Sequence, residues 1–550
     1  IFPQHRAGRA AYALRIDTLE EGGKTMTAGS RRAALLLAAC LALTVAAPCR
    51  KPAAKAGLGR SAEQVRSLLD KGRYEQALKA ANAALKKARD NPDFGECRVR
   101  ALLGLGRYMD AARTSLRMAA EYPGRPVFRF LAGESAYQMG MVPQAVMSWS
   151  ALFKDKAWGD RACRRAVLAL RAAGQDRRAL DLLKNQIAAG SQPSLKLLKL
   201  ELSLTLKVED GLKLADRLIE RDPSGRSQYA AMKALFRAAG SGSLLEAVAP
   251  ASLPVTIPVK EKSEFRDLSS LSWGTVDWYS GTSRLSSTTQ IVVPCSIDGS
   301  RDMPVIFDTG SNVALISSAW AGKLGLKPVA IAEYEGMGIH GAQRSHMVLL
   351  KEVEVGPVTI RNVPALVMSS DGAFFKKIGG IIPLSLLKDY ALHYDRRHGK
   401  LVLYESGTPP ASVLGQDADV VKSLWPSGRP FVQVSINGRR GLYCMVDTGA
   451  STTQLAMARM AQMGVSPNTA RYPSPMGTGT SGEFSSGVAE NVKLTLGRTR
   501  FNMRTVLLAN IGKRYQLDCY GILGRRDVLD LLDMFFDYKA NVIAFVPYDR

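Results

Sequence analysis

The sequence predicts a multidomain α + β chain, in which an all-α helical-repeat solenoid is followed by an all-β domain of two lobes. Two observations predict it. Gly72, Gly106, Gly140 and Gly174 recur at steps of 34 residues, and Ala77, Ala111, Ala145 and Ala179 keep the same step. In the second half, MPVIFDTGSNVALIS (303–317) and LYCMVDTGASTTQL (442–455) repeat one pattern: an apolar run, Asp-Thr-Gly, small polar residues, then apolar residues again.

The helical half comes first in the chain. Residues 60–247 are rich in Ala, Leu, Arg and Lys at helical spacing. A 34-residue period is one helix-turn-helix unit, with Gly at the tight point and Ala where the two helices touch. The period resembles that of tetratricopeptide repeats, in four or five degenerate copies without most of the signature aromatics. That resemblance implies a concave surface for a protein or peptide partner.

Residues 248–284 carry Pro250, Pro254 and Pro258 and then a Ser-rich piece. They read as a linker, part of which forms a strand against the first lobe. The lobes are expected at 285–406 and 428–550, with an inter-lobe linker at 407–427.

In each lobe a short apolar run, Val305–Phe307 or Tyr443–Val446, suits a buried strand. A carboxylate at the end of such a strand needs donors. Thr offers a hydroxyl, and Gly permits a turn that aims N–H groups back at the carboxylate. Two such turns face to face would bring Asp308 and Asp447 into contact, sharing one proton. One carboxylate then serves as base for a water and the other as acid for a carbonyl oxygen. The echo continues downstream, with GGIIPLSLL (379–387) matched by YGILGRRDVL (520–529) and each followed by a hairpin that closes its lobe, Gly399 or Asn541 near the turn.

The duplicated pattern resembles the two lobes of a pepsin/retropepsin-type aspartic protease, nearer the compact bacterial retropepsin-like form, over about residues 285–550. The resemblance implies Asp308 and Asp447 as the catalytic pair. It implies Thr309 and Thr448 bonded across a pseudo-twofold axis and Gly310 and Gly449 in the turns, with Ser311 and Ala450 completing the support. Ile522-Leu523-Gly524 fits the family's apolar-apolar-Gly element, whereas Ile381-Ile382 is followed by Pro383 where the family has Gly. Glycine-rich tips suit a mobile cover. The first flap candidate is GMGIHG (336–341), with Gly338, Ile339, His340 and Gly341. The second is MGTGTSG (476–482), with Gly477, Thr478 and Gly479. The substrate class implied is polypeptide, with no cofactor and no metal.

Composition bounds the remaining readings. The net charge is +25, and residues 1–250 hold most of it, with 42 Lys+Arg against 23 Asp+Glu. The basic residues are scattered along helices without interleaved aromatics, which reads as a solvated surface and not as a nucleic-acid site. Cys97, Cys163, Cys295, Cys444 and Cys519 show no metal-ligand spacing. The resemblance places the strands of Cys444 and Cys519 side by side, leaving open a disulfide or two buried thiols. Residues 26–49 (MTAGSRRAALLLAACLALTVAAPC) read as an export signal, and 1–25 as an overextended start. The expectation is an exported protein of a bacterial periplasm or envelope. Its membrane contact would come only through a lipid on Cys40 or Cys49, with simple export the alternative. Against the peptidase stands a non-catalytic envelope scaffold that keeps the fold as a peptide receptor. A glycosidase would not require the Asp-Thr-Gly turn, and no nucleophile elbow supports a serine or cysteine hydrolase.

Overall fold

The structure is a computed structural model. It describes residues 59–548 apart from 89–90, 190–193, 249, 260–290, 335–342, 369–377, 397, 451, 468–475, 480–481, 486 and 512–516. The export signal and its cysteines, the tip of the first flap candidate (Gly338, Ile339, His340 and Gly341) and much of the 248–284 linker lie outside the described residues.

The helical half contains α1 (Gly59–Asp70), α2 (Tyr74–Lys87), α3 (Pro92–Gly104), α4 (Tyr108–Glu121), α5 (Pro126–Gln138), α6 (Val142–Ser150), α7 (Gly159–Ala172), α8 (Asp176–Ala189), α9 (Leu195–Leu204), α10 (Val208–Arg221) and α11 (Arg226–Ala239). The 34-residue step has a direct physical reading. Gly72, Gly106, Gly140 and Gly174 all have φ between +70° and +74°, the left-handed conformation that ends a helix most cheaply when no Cβ is present. The next N–H then reaches back five residues in every copy: Arg73 to Leu68 O, Arg107 to Leu102 O, Met141 to Ala136 O and Gln175 to Leu170 O, all at 2.8–2.9 Å. Ala77, Ala111, Ala145 and Ala179 are fully buried where the paired helices meet.

Each lobe is a six-stranded barrel built on one plan. In the first, the ring runs Val358–Met368, Ala314–Ser317, Gly380–Pro383, Ser300–Asp308, Val292–Ile297, Gln343–Val355 and back to the start. In the second it runs Thr499–Ala509, Gln454–Ala456, Gly521–Leu523, Arg439–Val446, Phe431–Ile436, Gly487–Leu496. The parallel pair that carries the aspartate has the same register in both, with Val305 opposite Gly380 and Cys444 opposite Gly521. Strands buried on both faces explain the unbroken apolar runs before each Asp-Thr-Gly.

Three expectations need correction. The hairpins Tyr390–Asp395/Lys400–Glu405 and Leu532–Asp537/Val542–Pro547 do form, with Gly399 and Asn541 at positive φ in their turns. They do not close separate lobes. They pair with each other, Leu392 opposite Phe536, in one six-stranded sheet shared by both lobes. One edge is Val255–Pro258 beside Lys400–Leu403, the strand expected within 248–284, and the other is Asp419–Lys422 beside Val542–Phe545, from the segment read as the inter-lobe linker. The 407–427 stretch is therefore structured, because its backbone groups complete the sheet and its Trp425 is buried. Likewise Glu246–Val248 adds an edge strand to the first barrel against Thr359 to Arg361. One continuous apolar core runs through both barrels and the shared sheet, including Val305, Leu392, Trp425, Val446 and Phe536.

Candidate active site

Each aspartate ends a buried strand and turns at once into Asp-Thr-Gly. The turns cap their own carboxylates. Asp308 Oδ1 accepts from Gly310 N at 2.7 Å and Ser311 N at 3.2 Å. Asp447 Oδ1 accepts from Gly449 N at 2.9 Å and Ala450 N at 3.0 Å. The backbone N–H groups supply the donors that a buried carboxylate requires.

The threonines lock the turns together symmetrically. Thr309 N donates to Thr448 Oγ1 and Thr448 N donates to Thr309 Oγ1, both at 3.0 Å. The hydroxyls pass the bonds on, Thr309 Oγ1 to Val446 O at 2.8 Å and Thr448 Oγ1 to Phe307 O at 3.0 Å. Both threonines are buried. Four mutual bonds between two fully desolvated hydroxyls fix one lobe's turn against the other.

The glycines face the opposite carboxyl. A Cβ on Gly310 would lie 2.3 Å from Asp447 Cγ, and one on Gly449 would lie 2.6 Å from Asp308 Cγ. The two carboxyls lie close enough for each to shift the other's titration, and like charges that close do not both ionise. Burial pushes the Asp447 carboxyl well above the usual range, and the Asp308 charge adds to it. Burial also raises Asp308, but the Gly310 N–H, the nearby Asp447 carboxyl, the Ser311 N–H and the Arg429 charge pull against it. The pair thus holds a proton with Asp447 as the more basic member.

Arg429 is the residue that motif reading missed. Its Nε donates to Gly310 O at 2.6 Å and its Nη2 to Asn312 Oδ1 at 2.9 Å, so a cation from the lead-in of one lobe grips the Asp-Thr-Gly turn of the other. The only sequence signal was an Arg-Pro ahead of an apolar run. In the second lobe, Thr453 and Asp527 were also missed. Gly524 N donates to Thr453 Oγ1 at 3.1 Å and Thr453 N to Asp527 Oδ2 at 2.8 Å. Pro383 keeps the parallel register of its strand and sits opposite Asp308. The departure from Gly therefore leaves the strand intact.

The second flap candidate forms a small hairpin, Met476–Gly479 against Gly482–Ser485, with Gly477 opposite Phe484 and Thr478 opposite Glu483. For the first, the strands Ala330–Tyr334 and Gln343–Val355 pair on either side of the undescribed tip. Cys444 and Cys519 are free thiols, both buried. Burial pushes the Cys519 thiol up to about 12 and raises that of Cys444 well above its usual range, with the nearby Cys519 adding for Cys444.

Two segments, residues 293–418 and 432–526, match the model of a family described as aspartyl protease. These two segments of the chain are similar to that family. The matched segments hold both Asp-Thr-Gly turns and both parallel strand pairs. No curated protein matches the sequence. Among solved structures, the aspartic proteinase from Irpex lacteus is 11% identical, covering 54% of this chain and 98% of its own, with a TM-score of 0.33. A thermophilic TPR protein from Thermus thermophilus is 18% identical, covering 32% of this chain and 97% of its own, at 0.25. The MamA protein is 14% identical, covering 34% and 98%, at 0.23. Superpositions this loose add nothing to the duplicated register of the two barrels, which stands on its own strand pairings.

Proposed function

We propose that this chain is an aspartic-type endopeptidase in which Asp308 and Asp447 act as one dyad. The observation that carries the reading is the carboxyl pair held in mutual contact by the crossed threonine bonds. Asp308, on the more acidic side, takes a proton from a water, which attacks the peptide carbonyl carbon. Asp447 gives its proton to the carbonyl oxygen as it becomes tetrahedral. Collapse then returns a proton to the leaving nitrogen and restores the shared proton. This division of labour is known for aspartic peptidases as a class. Low dielectric around the pair strengthens both transfers.

The substrate is a polypeptide lying between the lobes, covered by the paired strands Met476–Gly479 and Gly482–Ser485 and by the strand pair Ala330–Tyr334 with Gln343–Val355. The helical repeats recruit a protein partner or substrate. Residues 26–49 export the chain to a bacterial periplasm or envelope, either with a lipid on Cys40 or Cys49 as its membrane contact or by simple export without one. N-terminal sequencing and mass measurement of the mature chain test this last part.

The test of the dyad uses the full-length chain with a denatured protein substrate from acid to neutral pH, beside Asp308→Asn and Asp447→Asn. Cleavage by the parent and loss in both variants, with folding retained, is expected. A parent that binds but does not cut would leave the domain a peptide receptor.

A further inference from the structure

The helical half does not hang free of the protease domain. The same turns whose glycines mark the repeat are pressed onto it, one after another. Tyr108, at the start of α4, bonds Asp518 and Tyr520 at 2.7 Å each. A Cβ on Gly140 would lie 2.1 Å from the Tyr443 hydroxyl, and one on Gly174 would lie 2.4 Å from Tyr538 O. Gly72, in the first repeat, has nothing within 4 Å of that position. At the far end, Leu235 and Phe236 of α11 share a cluster with Leu349 of the first barrel. The repeats therefore touch the second barrel, the shared sheet and the first barrel in turn.

The contact at the shared sheet leads to the active site. The carbonyl of Ala172, at the end of α7, accepts the Trp425 backbone N–H at 2.6 Å. Trp425 is 2% exposed, stands edge-on to Tyr538 at 5.5 Å, and donates from Nε1 to Ser423 Oγ at 2.6 Å. The Tyr538 hydroxyl lies 2.9 Å from Arg171 O and 3.0 Å from Asp176 Oδ1, with its single proton shared between the two acceptors, and Lys388 donates to Asp176 Oδ2 at 2.8 Å. From Trp425 the chain makes one tight turn, Gly428 N to Trp425 O at 2.9 Å and Arg429 N to Pro426 O at 3.3 Å. Ser427 and Gly428 both lie at positive φ in it. Arg429 then grips Gly310 O.

We infer that the helical repeats are part of the catalytic machinery: they brace both lobes, and through Trp425 they position Arg429 and hence the Asp308 turn. Trp425 is a positioning residue, acting through Arg429 without touching substrate. The inference rests on the peptidase reading for its kinetic consequences but not for its structural ones. A helix C-terminus offers carbonyls with no partner inside the helix. Here one of them is completed by the protease domain, so the docking is built into the end of α7.

The test uses the full-length chain carrying a site-specific cleavage sequence inserted after residue 275, with Trp425→Ala, Trp425→Phe and Tyr538→Phe made in the uninserted chain. After cutting, the two pieces are expected to co-elute, with kcat/KM within about threefold of the intact chain. Trp425→Ala should lower kcat by about tenfold or more, move the acid limb of the pH profile upward, and speed amide exchange at Gly310 and Ser311 more than at Gly449 and Ala450. Trp425→Phe should recover most of the loss. Tyr538→Phe, which removes a single hydroxyl, should show the same asymmetry at about threefold; it decides the matter if Trp425→Ala does not fold. Separation of the pieces with full activity in the C-terminal one would overturn the inference. So would exchange that rises no faster at Gly310 and Ser311 than at Gly449 and Ala450. If the parent itself proves inactive, the peptidase reading falls, and the exchange contrast alone decides the brace.

Discussion

The two Asp-Thr-Gly turns are near copies at the carboxylates and differ in what stands behind them. In the second lobe the support is local: Arg525 N donates to Ala450 O at 2.9 Å, Asp447 N to Leu523 O at 3.1 Å, and Gly524 N to Thr453 Oγ1 at 3.1 Å. In the first lobe Pro383 occupies the place of Gly524 and has no N–H to give. The turn is held instead by Arg429, reaching over from the other lobe's lead-in. The carboxyl-capping geometry is the same in both turns, and the supports behind them differ. The first-lobe turn consequently answers to a charge, and through Trp425 to the helical half, while the second answers to its own barrel.

The largest effect comes from removing either member of the pair. Asp308→Asn and Asp447→Asn should each lower kcat by roughly 10²–10⁴-fold in the cleavage assay, since each removes one of the two proton-transfer groups. Full activity in either single variant would contradict a shared dyad. The Asp447 change has a second signature. A carboxyl whose folded pKa is raised contributes stability that is present below its unfolded value and is lost as pH rises through the folded one. Asp447→Asn should therefore melt higher than the parent at neutral pH, with the advantage vanishing below about pH 4. Equal melting temperatures at both pH values would mean that the buried charge is not the cost it looks.

Next come the glycines. Gly310→Ala and Gly449→Ala both drive a methyl into the opposite carboxyl, at 2.3 and 2.6 Å. Each should lower kcat by about 10²-fold, the loss expected from displacing a reacting group by an ångström. A crystal structure of either variant should show the carboxyls separated. An unperturbed pair with full activity would mean the contact is dispensable.

Arg429 gives the sharpest comparison between the turns. Arg429→Gln removes a positive charge that lowers the Asp308 carboxyl. That carboxyl should rise, so the acid limb of the kcat/KM profile should move to higher pH, together with a loss of about tenfold or more from the missing charged hydrogen bonds. An unmoved limb would mean that the Arg429 charge does not set the Asp308 carboxyl. The smallest effect is expected from Pro383→Gly, which copies the second lobe's residue into the first. It should reduce unfolding stability by only about 0.4–1 kcal/mol, through the freer unfolded chain, and leave kcat unchanged. A large change in kcat would show that Pro383 shapes the turn directly.

Much of this was legible in the chain. The 34-residue glycine step announced a helix-ending conformation that only a residue without Cβ adopts cheaply, and four turns adopt it. The Asp-Thr-Gly repetition announced two carboxylates that need one another, because each ends a strand too apolar to leave it bare. Other features had no local signature. Arg429 is one arginine among the chain's 74 lysines and arginines, and nothing about its neighbours says that its partner is Gly310, more than a hundred residues earlier. The hairpins were visible as hairpins, but their pairing with each other, Leu392 against Phe536, is a long-range choice between equally suitable apolar faces.

By itself, the sequence determined the elements whose cause is local: turn glycines, buried strand runs, the apolar faces of the helices, and the identity of the paired carboxylates. Only the tertiary structure decided which surfaces meet. The linker segments became sheet edges because their unpaired N–H and C=O groups found strands to complete. The repeat turns became docking points because Gly140 and Gly174 leave room for Tyr443 and Tyr538. Local conformation follows from each residue's own sterics and neighbours, whereas contact between distant segments follows from the packing of the whole chain, to which no short stretch holds the key.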